Sequence, residues 1–384
     1  EAIARLQGAA IPASILESDV LPARVRGYRP ADLDAMLAAG ELVWVGRGSI
    51  AGDDGRIVLC FRDQARALLS TGDRGPGDEA ADGELHAAIR GQLAKSGASF
   101  WPDLVLAADT ADERVLLRAL WDLVWAGEVT NDTLGPLRAF VRGAGARVRA
   151  PRPGTRPRPG ALRRTGPPAG AGRWSLVAPS LVPPASDTEV VHTRALQLLD
   201  RHGVVTRESV LAEGVPGGFA GVYPVFRAME EAGKLRRGYF ITGLGAAQFS
   251  LPGAVDRLRA LREAAADDDD GAVVLAAADP AQPYGATLSW PDSGGRPSRA
   301  AGAYVVLVNG AAAAFLERGA RSLVTFDVAA DRWVDAVASL VKDGRLRKID
   351  LLRIDGEPSG DSPHLDALRE AGFVDGYRGL TLRG

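Results

Sequence analysis

Cysteine, histidine and lysine are all scarce in this 384-residue chain, which has one Cys, four His and four Lys. A lone cysteine excludes an internal disulfide framework. Cys60, set in an apolar stretch, reads as a small buried hydrophobe of a protein in a reducing compartment. One Cys and four scattered histidines (His86, His192, His202, His364) form no zinc ligand set, so no metal site is expected. No apolar run approaches the ~18 residues of a membrane span, and no signal peptide is visible, which predicts a cytoplasmic protein without a membrane partner. The chain also lacks a Gly-x-x-x-x-Gly-Lys-Ser/Thr phosphate loop. Its only lysine after a glycine, Lys234, follows a helical pattern where a phosphate loop would precede one, so no nucleotide cofactor is expected here.

What is present is ordinary in bulk and uneven in distribution. At 384 residues the chain is long enough for about two to four domains with cores of their own, and 46% hydrophobic with 24% charged residues is the composition expected of a soluble globular protein. The net charge is −2, so the molecule as a whole is no electrostatic sponge for DNA. Yet no acidic residue occurs between Asp132 and Asp187, while ten arginines lie from Arg138 to Arg173. Within that span, residues 143–172 hold seven Gly, six Pro and seven Arg, and read either as a basic arm attracted to phosphates or as an Arg-rich spacer. Asp267 to Asp270 reads as a solvated turn.

The most legible stretch is residues 187–262. An amphipathic run from Glu189 stops at Gly203, Thr206 offers an N-cap for a second helix that ends at Gly214, and a third helix from Phe219 to Ala232 needs Pro224 in its first turn. Leu235, Tyr239, Phe240 and Ile241 then lead into the turn Thr242–Gly245, with Ala247, Phe249 and Leu251 alternating on the return. Three helices closed by a hairpin describe a winged helix, a common nucleic-acid-binding module. Residues 1–62 read as a first such unit, incomplete at its start, with Pro30 at the first position of a helix and Leu42–Val45 pairing with Ile57–Phe61; Trp44 is assigned to its core. Residues 82–141 read as a second, wing-poor unit with a capping box at Thr110 and Glu113, no second wing strand, and a wide apolar helix face carrying Trp121 and Trp125. That uncovered face predicts packing against another protomer. Residues 272–384 carry five short strands (273–277, 285–290, 303–308, 311–316, 322–326), with Asn309-Gly310 as the best hairpin turn, and then two helix-Gly-strand segments. The fold class expected is α+β: tandem winged helices followed by a small β-barrel-like α+β module. Five segments, LAAGEL, LVWAGEV, MEEAGKL, LVKDGRL and LREAGFV, repeat one local pattern in which a helix ends on glycine and turns directly into a strand.

The runs GYFITGLGAAQFSLPGAVDRLR (238–259), LAAADPAQPYGATLSWP (275–291), GELVWVGRG with DDGRIVLCF (40–61) and DLVWAGEVTNDTLGPLRA (122–139) resemble the large helicase-related (Lhr) family. The resemblance covers nearly the whole chain in order. It implies the carboxy-terminal extension of an ATP-dependent 3′ to 5′ DNA-repair helicase at the bacterial nucleoid, whose ATP- and Mg²⁺-using motor lies elsewhere, and it implies a homo-oligomer, such as a tetramer. The same region resembles winged-helix DNA glycosylases of the AlkZ type, which use a Gln-apolar-Gln or Gln-apolar-Asp motif; Gln248-Phe249-Ser250 has the first two elements and lacks the third.

The candidate sites follow from these readings. Lys234, Arg236 and Arg237 on the wing, Tyr239 as a stacking face, and Arg257, Arg259 and Arg262 on the next helix are the expected DNA contacts. Gln248 and Asp279 are the candidate catalytic residues if the chain excises a damaged base such as uracil or an alkylated purine; each also has an ordinary structural reading, in the wing and in an Asp-Pro turn. Three functions remain in view: a non-motor DNA-binding and self-assembling region, a glycosylase, and a structural oligomerisation platform.

Overall fold

The computed structural model describes residues 1–50, 52–69, 81–143, 166–245, 247–267, 271–327 and 331–384. Most of the Arg-rich run, 144–165, and Asp268–Asp270 lie outside them. The chain forms two compact units, Glu1–Glu17 with Val25–Gln197, and Ser18–Arg24 with Leu198–Gly384.

In the first unit, α1 (Ala2–Leu6), β1 (Ile11–Pro12), α2 (Ala13–Ile15), α3 (Pro30–Ala38), β2 (Leu42–Ile50) and β3 (Asp54–Phe61) follow the helix–strand–helix–helix–strand–strand order of a winged helix, with sheet order β1-β3-β2. Pro30 opens α3, Leu33 and Leu37 bury its inner face, and Gly40 at φ +75° lets Glu41 N–H reach back to the carbonyl of Met36. The Leu42–Val45 run is buried on both faces. The reason is a close neighbour: a Cβ on Gly46 would lie 1.9 Å from the carbonyl oxygen of Val124, and Thr130 Oγ1 donates to the Trp44 carbonyl at 2.6 Å. Trp44 and Cys60 are both core.

After a short α4 (Ala65–Leu68), the same order recurs as α5 (Glu84–Ser96), β4 (Ser99–Phe100), α6 (Trp101–Ala108), α7 (Glu113–Trp125), β5 (Val129–Asn131), α8 (Gly135–Val141) and β6 (Arg173–Leu176), with sheet order β4-β6-β5. This corrects the wing-poor expectation. The missing strand is β6, displaced beyond the Pro/Gly/Arg run, and it pairs antiparallel with both β4 and β5. The Trp face is also spent inside the unit. Trp121 stacks on Phe140 at 4.2 Å, meets Trp174 edge-on at 5.8 Å and donates Nε1–H to the Ala169 carbonyl, while the Trp125 ring lies against Gly55. The face that predicted an oligomer therefore has its cover within the chain. The cap of α7 differs too: Asp112, a carboxylate nearer the helix, accepts from Arg114 N–H and Val115 N–H, and Thr110 Oγ1 only accepts from Asp112 N–H.

Helix α9 (Asp187–His202) begins in the first unit and ends in the second. It is followed by β7 (Val204–Val205), α10 (Arg207–Ala212), α11 (Gly218–Glu231), β8 (Arg236–Gly238) and β9 (Gln248–Ser250), again with the third strand central, and by α12 (Ala254–Asp267). Thr206 caps α10 in a reciprocal pair with Ser209. Pro224 sits inside α11 rather than in its first turn; the carbonyl it leaves without a donor belongs to Ala220, which is exposed to water.

The rest of the second unit departs from the barrel expectation. Strands β10 (Ala272–Ala276), β11 (Tyr304–Val308), β12 (Ala311–Leu316), β13 (Ser322–Thr325), β15 (Arg353–Ile354) and β16 (Glu357–Pro358) form a sheet in that order, open between β10 and β16 among the described residues. The expected strand at 285–290 is a loop: its one described bridge, Tyr284 to Leu288, closes within the loop itself, and Trp290 stacks on Tyr284 and packs against Phe315 and Phe326. Asn309 and Gly310, at φ +50° and +84°, make the primed turn of the β11–β12 hairpin. In sequence order, α13 (Arg332–Lys342), β14 (Lys348–Leu351), the 3₁₀ turn Ser359–Asp361, α14 (Leu365–Glu370), β17 (Val374–Asp375) and β18 (Leu380–Arg383) repeat the winged-helix order once more, with sheet order β14-β18-β17. One core, including Trp333, Val337, Leu340, Ile349, Leu368 and Phe373, joins α13 to the open sheet and to this terminal hairpin. No described helix is long and apolar enough to cross a membrane.

Candidate nucleic-acid interface

The wing after α11 is built around one side chain. Gln248 is fully buried: its Oε1 accepts from the backbone N–H groups of Phe240 (2.8 Å) and Ile241 (2.9 Å), and its Nε2 donates to the carbonyls of Ile241 (2.9 Å) and Leu244 (3.0 Å). A primary amide has two acceptor directions and two donors, and all are used. Phe249, the next residue, faces the helices and stacks on Phe226 at 5.2 Å, which ties the wing to the core of its unit. Gln248 thus holds the wing in shape and presents no free polar group to a substrate.

The cations that this wing displays divide between two faces, as adjacent strand residues must. Arg237 turns towards α11, with its Nε 3.2 Å from Glu230 and its Nη1 3.5 Å from the Tyr223 hydroxyl, over a shallow cavity of about 470 Å³ also lined by Arg227 and Glu231. Arg236 pairs in register with Ser250 and is exposed, as is Lys234; Tyr239 is 87% exposed. On α12, Arg257, Arg259 and Arg262 are all exposed, and Arg259 has Asp256 at 3.7 Å.

The outer face of α11 is poor in cations. Its exposed residues include Ala220, Pro224, Ala228 and Glu231, and its arginine, Arg227, is paired with Glu231 at 2.9 Å. The expected contact residues that are exposed thus sit on the wing and on α12, while α11, in the place of the helix that reads bases in many three-helix DNA-binding modules, carries one arginine and that one is paired. Arg138, part of the basic stretch, is likewise committed: it is bonded to Glu17 and Asp34 and to the Pro30 carbonyl. Burial opposes its charge, but those carboxylates outweigh the burial and hold it protonated.

Asp279 is 1% exposed and accepts two hydrogen bonds from Arg24, at 2.8 and 2.6 Å, and one from Ala281 N–H at 2.7 Å. Arg299 lies inside the same loop. Burial lowers its pKa, and it is satisfied by the carbonyls of Asp279, Gln282 and Tyr284. Tyr284 stacks on Trp290 at 5.8 Å and bonds through its hydroxyl to Gly310 and Ala312, so its ring serves the core of this loop. As with Gln248, the structure spends Asp279 on architecture. No local pattern hints at this set, because Arg24 is 255 residues from Asp279. The same holds for Asp19, which binds Arg345 at 2.6 Å across 326 residues.

Residues 1–62 and 184–270 each match a model described as "Large helicase-related protein, winged-helix domain". Over 99% of its length the chain is 42% identical to a Mycolicibacterium smegmatis protein named "Lhr helicase/ probable uracil glycosylase". Over 98% of its length it is 35% identical to an Escherichia coli protein named "Lhr helicase/uracil glycosylase". The chain spans 26% of the length of each relative.

Proposed function

The chain belongs to the large helicase-related family, with two of that family's winged-helix domains, and from this we propose that it grips DNA by the phosphate backbone through the wing at 234–250 and helix α12. The supporting observation is the placement of charge: Lys234, Arg236, Arg257 and Arg262 are exposed on these two consecutive elements, while the neighbouring α11 offers no surplus cation. Cations on a wing and a helix, without a cationic reading helix, suit backbone contact rather than base readout. The relatives are named helicases; with no phosphate loop in this chain, strand translocation falls to the part of such proteins that the chain does not span.

The test is titration of duplex and single-stranded oligonucleotides at several salt concentrations. Arg236→Ala and Arg257→Ala each weaken binding to all sequences alike and each lower the salt slope by about one unit, the signature of one lost phosphate contact. Parent affinity and slope in both variants would remove this unit from the interface. Excision of uracil is the second reading, and it rests on the names carried by both relatives. Gln248 and Asp279 are engaged as described, so that chemistry would need another carboxylate or amide. Alkali-labile breaks at uracil in DNA treated with the purified chain would establish it.

A further inference from the structure

The terminal hairpin carries an exposed aromatic ring where a two-residue turn would ordinarily carry small turn formers. Gly376 N–H donates to the Gly379 carbonyl at 2.7 Å, closing a loop whose only two residues are Tyr377 and Arg378. Loops of this length favour residues at positive φ, as Asn309-Gly310 shows in this same protein, but neither Tyr377 nor Arg378 adopts positive φ. Tyr377 is 98% exposed, and the Arg378 guanidinium lies over its ring at 5.8 Å. The base of the tip is packed tightly. A Cβ on Gly379 would lie 2.1 Å from the Leu351 carbonyl oxygen, and Ser359 Oγ donates to that carbonyl and accepts from Leu380 N–H. A solvent-exposed ring, with the Arg378 guanidinium over one face, is thus held on a firm support.

Beside it is a cavity of about 280 Å³ lined by Arg321, Asp350, Leu352, Arg378 and Thr381. Among the described residues neither Arg321 nor Arg378 has a carboxylate partner, whereas Asp350 is engaged by Lys348 and Thr381. The balance at the rim therefore favours an anion next to an aromatic face. In chain order this hairpin is the wing of a winged-helix unit, and it corresponds to the β8–β9 wing, where Tyr239 is also exposed.

We infer that the Tyr377–Arg378 tip binds single-stranded DNA, stacking one unpaired base on the Tyr377 ring while Arg378 and Arg321 hold the adjoining phosphate. In a duplex both faces of a base are covered by its neighbours, so a ring standing clear on a two-residue tip can be met only by a base that has left the stack. This rests on the reading that the chain binds DNA, but it places the single-strand contact away from the 234–250 wing.

The test uses the whole 384-residue chain, oligo-dT carrying one 5-iodouracil, and a duplex of the same length. Photocrosslinking should join the iodouracil to the peptide containing Tyr377. Tyr377→Ala should lose about ten-fold in affinity for oligo-dT and none for the duplex, with Tyr377→Phe and Tyr377→Trp retaining parent affinity because the ring alone is needed. An abasic strand should bind the parent and Tyr377→Ala equally. Unchanged oligo-dT affinity in Tyr377→Ala, with duplex binding intact, overturns this inference alone. Failure of the parent to bind either DNA overturns it together with the proposed function. Loss of duplex affinity in Tyr377→Ala would show a general rather than a single-strand contact, and also overturns it.

Discussion

Replacing Gln248 with alanine removes all four hydrogen bonds that fix the wing, two accepted from Phe240 and Ile241 and two donated to Ile241 and Leu244. At a net ~0.5–1.5 kcal/mol each, the set is worth about 2–6 kcal/mol. Residues 240, 241 and 244 are only half-buried, so water can replace part of what is lost, and about 2–3 kcal/mol is the expected cost. For a unit of this size that lowers Tm by roughly 5–10 °C if the wing melts with its unit. If it melts alone, amide exchange at Phe240 and Ile241 accelerates while Tm moves less. Gln248→Glu keeps both accepted bonds but sets a carboxylate against two carbonyls; its destabilisation should ease as pH falls, since a protonated carboxyl can donate again. DNA affinity should fall with wing order in both variants. Calorimetry, hydrogen exchange and binding on the same samples decide the matter. A Gln248→Ala protein with parent Tm, parent exchange at 240–241 and parent DNA affinity would refute the staple, and loss of uracil excision on top of that would make Gln248 a chemical group.

Glu213 supplies a pH-dependent term. Burial pushes its carboxyl up, but the His202 hydrogen bond and the adjacent Arg201 outweigh this and bring it down to about 2. Its stabilisation is therefore complete above about pH 5 and lost as pH falls towards 2, an amount on the order of 3 kcal/mol; Glu213→Gln should flatten this acid limb in urea titrations, and an unaltered pH profile would contradict it. Trp121→Ala removes a fully buried ring from between Phe140 and Trp174 and should cost about 3–5 kcal/mol by denaturant unfolding. Light scattering of parent and mildly destabilised Trp121→Phe should give the same mass, because the ring faces its own unit; a change of mass would place it at an interface. Asp19→Ala leaves the Arg345 guanidinium without its carboxylate at a site where Asp19 is 5% exposed, and should destabilise by roughly 3 kcal/mol, with Asp19→Asn recovering part.

Local chemistry determined much of this fold. All five repeated segments end their helices on a glycine at positive φ (Gly40, Gly127, Gly233, Gly344 and Gly372), since only a residue without a Cβ takes that conformation cheaply while the chain turns into a strand. The N-cap at Thr206 and the Asn309-Gly310 hairpin were legible for the same reason: each interaction closes within a few residues. The 234–250 wing was legible as a hairpin, and the division of Arg236 and Arg237 between its two faces follows from the alternation of a strand. Tertiary structure alone decided the rest. Strand β6 is four residues long and lies beyond the Pro/Gly/Arg run from the β5 it completes, so no local pattern marked it as the cover for Trp121. Nor does any periodicity announce that the amide of Gln248 folds back onto its own wing, or that Asp279 meets Arg24. Buried polar side chains are assigned to architecture or to chemistry by the partners the fold brings to them, and at 255 residues' separation that choice belongs to the packed core.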